Sequence, residues 1–175
     1  KTETDAQLGT TTWTLSNGAK VTFKKTDFKD DEIVFSARSL GGNSLLNDTD
    51  YNNTQFAYQA LSEAGVAGAS KADLTNYLAG KQVSVNPYIS GTLEGVFGRS
   101  SQKDLGTAME LMYAYFTNLN YNPEAFNAYK MNKSAMLYNL LYNPQTYFAS
   151  EHAKFTNQKN PRFIGLISME KVRFL

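Results

Sequence analysis

The 175 residues include 42% hydrophobic and 13% aromatic side chains and carry a formal net charge of +1, enough for one domain with a sizeable core. So balanced a charge gives no electrostatic reason to expect nucleic acid or an anionic membrane as partner. The absence of cysteine excludes a disulfide framework and thiolate zinc sites, and no apolar run approaches the roughly 20 residues that span a bilayer.

In chain order, residues 1–10 are polar and predict a linker. "TTWTLSNGAKVTF" then alternates around Asn17-Gly18, a hairpin signal because a two-residue turn of this type needs positive φ. Trp13 and Leu15 share one side of the first arm, Val21 and Phe23 one side of the second. The charged connection "KKTDFKDDE" leads to a third strand, "EIVFSARSL", with Ile33, Phe35 and Ala37 on one face; Gly41-Gly42 ends it.

Helices follow. Asp50 or Asn53 is expected to cap a helix that runs to about Ala64 and stops at Gly65. Ser70 with Asp73 is a capping-box start for a short helix, with Leu74, Tyr77 and Leu78 on one face and Gly80 at its end. "KQVSVNPYISGTLEGVFGRSS" returns to strand character, with Pro87 and Gly91 marking an edge or a bend. Leu105, Met109, Met112 and Phe116 recur at helical spacing. Pro123 sits at the first position of a helix reaching about Leu141; another starts near Pro144, and Ser168 is read as the cap of a last one. Strands, two helices, two strands and then several helices do not alternate regularly. The order predicts an α+β fold, a largely antiparallel sheet covered on one face by helices.

Candidate sites are few. His152 is the only histidine; without a cluster around it, a polar helix residue is a better reading than a base or a zinc ligand, since a zinc site needs two or three side-chain ligands. The Met and Tyr stripe of residues 101–119 reads as core rather than a ligand groove. The glycines in "EGVFG" and "LGG" fit no phosphate cradle. Asp27, Lys29, Asp30, Asp31 and Glu32 lack the alternating spacing of a calcium loop and read as a solvated connection. Sequons at Asn47, Asn52 and Asn132 matter only in a glycosylating pathway, and Lys130 and Lys133 are read as solvated. The residues by themselves support an α+β domain without a self-sufficient catalytic site.

Taken together, "WTLSNGAKVTF", "EIVFSARSLGGNSLL", "LSEAGVAGASKADLTNYLAGKQVSVNPYISGTLEGVFG", "DLGTAMELMYAYFTNLNYNPEAF" and "NPRF" resemble, in order and spacing, the non-catalytic repeat of the pitrilysin-like (insulinase-type) zinc metallopeptidases. The likeness runs from about Thr11 to Phe163. It implies a two-layer sandwich of the mitochondrial-processing-peptidase-like kind, with 11–175 as a single incomplete domain. The chain opens without methionine and closes on "MEKVRFL", and is expected to be a C-terminally truncated segment of a longer protein.

Catalytic members of the family carry His-x-x-Glu-His on the helix after the second strand, the histidines one turn apart for zinc and the glutamate activating water. The matching positions here are Ala57, Ala60 and Leu61. No histidine lies between Lys1 and Glu151, so no shift of register restores the pair, and residues 125–150, where the third ligand is due, contain no Asp or Glu. The resemblance therefore implies no catalytic residue, metal ligand or cofactor in this segment, with zinc held by a catalytic domain of the parent chain or of a partner subunit. The segment would help to enclose and position peptide substrates opposite that domain, in a bacterial periplasm or cell envelope. Peptide-contacting residues stay unassigned. An alternative is a structural or assembly domain of the same fold without a protease role; a stand-alone binding module is weaker. An open sheet edge predicts self-association of the fragment.

Overall fold

The computed structural model describes residues 1–48, 50–51, 62–160 and 162. The chain divides between Glu32 and Ile33 into two units, and each holds one three-stranded antiparallel sheet.

The first unit contains β1 (Thr2–Asp5), β2 (Thr10–Thr14) and β3 (Lys20–Lys24) in the order β1-β2-β3. β1 corrects the reading of this stretch as linker: Thr2 pairs with Trp13 and Asp5 with Thr10. Its four residues are all exposed, so no apolar alternation announces it. The Asp5 carboxylate accepts from the backbone N–H of Gln7 (2.9 Å) and Leu8 (3.0 Å) and folds the turn back. The hairpin expected at Asn17-Gly18 forms with a longer loop. Leu15 N–H donates to Ala19 O at 2.8 Å, leaving three residues between them. Only Gly18 takes positive φ, +86°, while Asn17 Oδ1 accepts from Ala19 N–H at 3.1 Å. A three-residue loop needs one left-handed position rather than two. Trp13 and Phe23 stack across the strands, centroids 6.3 Å apart.

The second unit contains β4 (Ile33–Leu40), a 3₁₀ turn (Gly42–Leu45), α1 (Lys71–Leu78), β5 (Val83–Ile89), β6 (Leu93–Ser100), α2 (Leu105–Thr117), α3 (Pro123–Leu141) and α4 (Pro144–Thr156). The sheet order is β4-β6-β5. Val85, Val96 and Ala108 form its buried centre, with Phe35, Val83, Met109, Leu111, Met112 and Tyr115 packed around them. The α2 stripe thus lies on the face presented by Phe35, Val85 and Val96, as helix-on-sheet layering requires. Gly98 makes the layer possible. A Cβ there would stand 2.5 Å from the Phe35 ring and 2.2 Å from Ser84 O, so a bare backbone lets the ring lie across β6.

Hydrogen bonds at the strand ends fix which backbone groups point outward. On β5, Ser90 N–H donates to Leu93 O (2.8 Å) and Ser101 N–H to Gln82 O (3.0 Å). Alternation from these places the Pro87 nitrogen on the side away from β6, where a missing donor costs the ladder nothing. On β4, Gly41 N–H donates to Thr92 O (2.9 Å) and Asn43 N–H to Ser90 O (2.8 Å). The backbone groups of Val34, Ser36, Arg38 and Leu40 therefore point away from β6, and no described strand pairs with them.

The helix signals hold where they fall on described residues. Ser70 and Asp73 form a reciprocal capping box, and α3 and α4 each begin with Pro after an Asn cap. Leu74 and Leu78 are half-buried as expected, but Tyr77 is exposed and carries Lys81 Nζ 3.5 Å above its ring. One cap is corrected. Asn47, not Asp50, closes the turn opening at Asp48: its Oδ1 accepts from Asp50 N–H at 2.9 Å and its O from Tyr51 N–H at 2.9 Å. Asn53 and Ser168 lie outside the described residues.

Candidate functional site

Above the β5–β6 turn end of the second sheet lies a cavity of ≈ 500 Å³. Its floor comes from Ala37 and Ser39 of β4, Pro87 and Ile89 of β5 and Glu94 of β6; Tyr115, Phe116 and Leu119 wall the other side. The α2 stripe is split by it. Met109 and Met112 are in the core, while Phe116 is 64% exposed and lines the cavity. Reading the whole stripe as core missed this, because helical spacing marks a face and not what lies opposite each turn. The lining is mostly apolar with a few polar groups at its edge, the composition of a site for an apolar group.

The segment between Ala64 and Ser70 is held from across the unit by Asn120. Its Nδ2 donates to Ala64 O (3.2 Å) and Ala69 O (2.8 Å), and its Oδ1 accepts from Gly68 N–H (2.8 Å). Ala67 N–H donates to Asn118 O at 2.8 Å, and Val66, fully buried, bridges to Leu119. Gly65 (φ +80°) has Ala69 O where a Cβ would lie, at 2.1 Å. Sequence reading passed over Asn120; an Asn in a loop signals a turn but not partners more than 50 residues away.

Asp104 stitches the entry to α2. It accepts from Gln82 N–H (2.9 Å) and Ser101 Oγ (2.8 Å). These bonds, the Gln82 one foremost, lower its carboxyl below the ordinary 3.8, helped by Lys103 and Lys81. On α3, burial first and the Glu63 carboxylate second raise the Tyr129 phenol above its ordinary value.

The remaining sequence candidates do not converge. His152 is exposed on α4 and stacks on Phe148, centroids 6.0 Å apart. Lys29 Nζ pairs with Glu32 Oε1 at 3.1 Å in an exposed connection. The Asn47 side chain is occupied by its cap and by Asp50 Oδ2 at 2.8 Å; Asn132 is exposed on α3, and Asn52 lies outside the described residues. Lys130 and Lys133, read as solvated, are half-buried and engaged. Ala57, Ala60 and Leu61 lie outside the described residues, and their side chains carry no atom that ligates zinc. Among the described residues no three His, Asp or Glu side chains form a group able to hold an ion.

A zinc protease PQQL-like protein of Arabidopsis thaliana is 32% identical over 111 residues, 63% of this chain and 9% of that protein. The periplasmic protease PqqL from Escherichia coli superposes on 99% of the chain with a TM-score of 0.80 at 21% identity. The fold is pitrilysin-like. The pitrilysin-like fold recurs in the ferredoxin protease FusC, solved in complex with Arabidopsis ferredoxin (TM-score 0.74, 17% identity, 99% of this chain), and in a protease from Helicobacter pylori (TM-score 0.67, 14% identity). No family model matches the chain. The chain spans about a tenth of the plant protein, 19% of the PqqL chain and 20% of the FusC chain. No helix among the described residues is long and apolar enough to cross a membrane.

Proposed function

We propose that this chain is a non-catalytic domain segment of a pitrilysin-like zinc protease, which helps to enclose and position peptide substrates opposite a separate catalytic zinc domain. One observation carries the reading: a chain similar to zinc proteases has no histidine before His152 and no acid between residues 125 and 150. A ligand set cannot be assembled from Ala57, Ala60 and Leu61. The catalytic domain would belong to the same parent chain or to a partner subunit, and would hold the zinc. The periplasmic location of the PqqL neighbour supports a bacterial periplasm or cell envelope.

The test measures zinc content and peptidase activity on this chain and on the full-length parent. Zinc and activity in the parent but in neither assay for the chain supports the proposal. Their absence from both moves the assignment to a structural or assembly domain of the same fold. Stoichiometric zinc in the chain itself overturns the alignment of Ala57, Ala60 and Leu61 with the metal motif.

A further inference from the structure

Arg162 follows α4 in sequence, yet its guanidinium is spent on a junction 111 to 119 residues earlier. Nε donates to Asp48 Oδ1 at 2.8 Å, Nη1 to Asn43 O at 3.3 Å and Nη2 to Leu46 O at 2.5 Å. Its Cζ lies 5.1 Å from the centroid of the Tyr51 ring. The side chain is 28% exposed.

These contacts sort by element. Asn43 is in the 3₁₀ turn that ends β4, and its carbonyl also accepts from Leu46 N–H at 3.2 Å. Leu46 is the residue after that turn. Asp48 and Tyr51 sit in the helical turn that Asn47 caps. One planar cation thus bridges the exit of a strand and the entry of the next element. It takes two carbonyls from the first and a carboxylate and a ring from the second. Only an arginine offers this fork: its five donors lie in one plane and its faces accept an aromatic ring. The glycines before the junction are tied to the β5–β6 turn by Gly41 N–H to Thr92 O and Asn43 N–H to Ser90 O, and Arg162 adds a tie to the element that follows. Gly41 and Gly42 have φ of +144° and +57°, a backbone with few conformational restraints of its own.

We infer that Arg162 is a latch that fixes the direction in which the chain leaves β4, so that the segment following α4 controls the element beginning at Asp48. The inference is independent of the peptidase reading. Its reach comes from sequence order: residues 52–61, which contain the positions matching the metal motif, follow directly on Tyr51.

Hydrogen exchange on this chain tests it, with the amides of Leu46, Asp50 and Tyr51 as reporters and those of Ser101 and Ala108, bonded to Gln82 O and Asp104 O near the start of α2, as controls. Arg162→Ala should speed exchange at the reporters by about tenfold or more, the size expected for lost charge-assisted bonds in a local opening, and leave the controls unchanged. Arg162→Lys, which keeps the charge but not the fork, should reproduce most of that effect. Asp48→Asn, which removes one charged partner, should give a smaller rise at the same amides. Unchanged reporters in Arg162→Lys and Asp48→Asn, or an equal rise at reporters and controls, overturns the latch. The two milder variants decide the matter even if Arg162→Ala does not fold.

Discussion

Asn120 and Tyr121 are neighbours with opposite expectations. Tyr121 is the larger and more apolar, but it is 92% exposed. Asn120 makes three hydrogen bonds to the 64–70 segment. Gly68 is exposed, so water replaces Asn120 Oδ1 there at small cost. Ala69 O keeps the N–H of Val66 at 3.1 Å, and the loss there is a shared bond. Ala64 is buried, where a lost donor is felt in full. At about 0.5 kcal/mol for the first and about 1 kcal/mol for each carbonyl bond, Asn120→Ala should destabilise the second unit by about 2–3 kcal/mol. Tyr121→Ala should stay within about 0.5 kcal/mol. Urea unfolding followed by circular dichroism at neutral pH reads both, and the corresponding thermal shift for Asn120→Ala is roughly 5–10 °C. A cost for Asn120→Ala no greater than that for Tyr121→Ala would refute the claim that this side chain holds the loop.

Acid should act through Asp104. Its folded pKa lies below 3.8, so the anion's contribution is complete above that value and is lost as pH falls through the lower, folded one. Asp104→Asn keeps an acceptor for Gln82 N–H but cannot titrate, and its stability should fall less steeply on acidification; parallel acid profiles for the two proteins would count against this. The outer edge of β4 should drive self-association of this chain, seen as a mass that rises with concentration in sedimentation. A constant monomer mass over a wide range would rule that edge out.

Local chemistry was legible in the sequence, and long-range chemistry was not. The starts of α3 and α4 follow from Asn-Pro pairs, because Pro at the first helical position and Asn before it satisfy the orphan amides within four residues. Gly18 located the first hairpin, but the loop length depends on which pair closes it, and Leu15 with Ala19 leaves no compositional mark. β1 was missed because a wholly exposed strand lacks the alternation that betrays a half-buried one. The partners of Asn120 and Arg162 are 51 to 119 residues distant, beyond any periodicity. The residue types at Ala57, Ala60 and Leu61, the positions that the resemblance matches to the metal motif, were legible without any geometry.

The position of Pro87 has a further consequence. A sheet whose two margins both accept strands can add copies indefinitely, as fibrils do. Here one margin is interrupted by a residue that cannot donate, so among the described strands of the second unit only β4 offers an unbroken margin. Two copies meeting β4 to β4 about a two-fold axis would use up both receptive margins and present Pro87-bearing strands at either end. Such a pairing is closed rather than open-ended, and growth stops at the dimer.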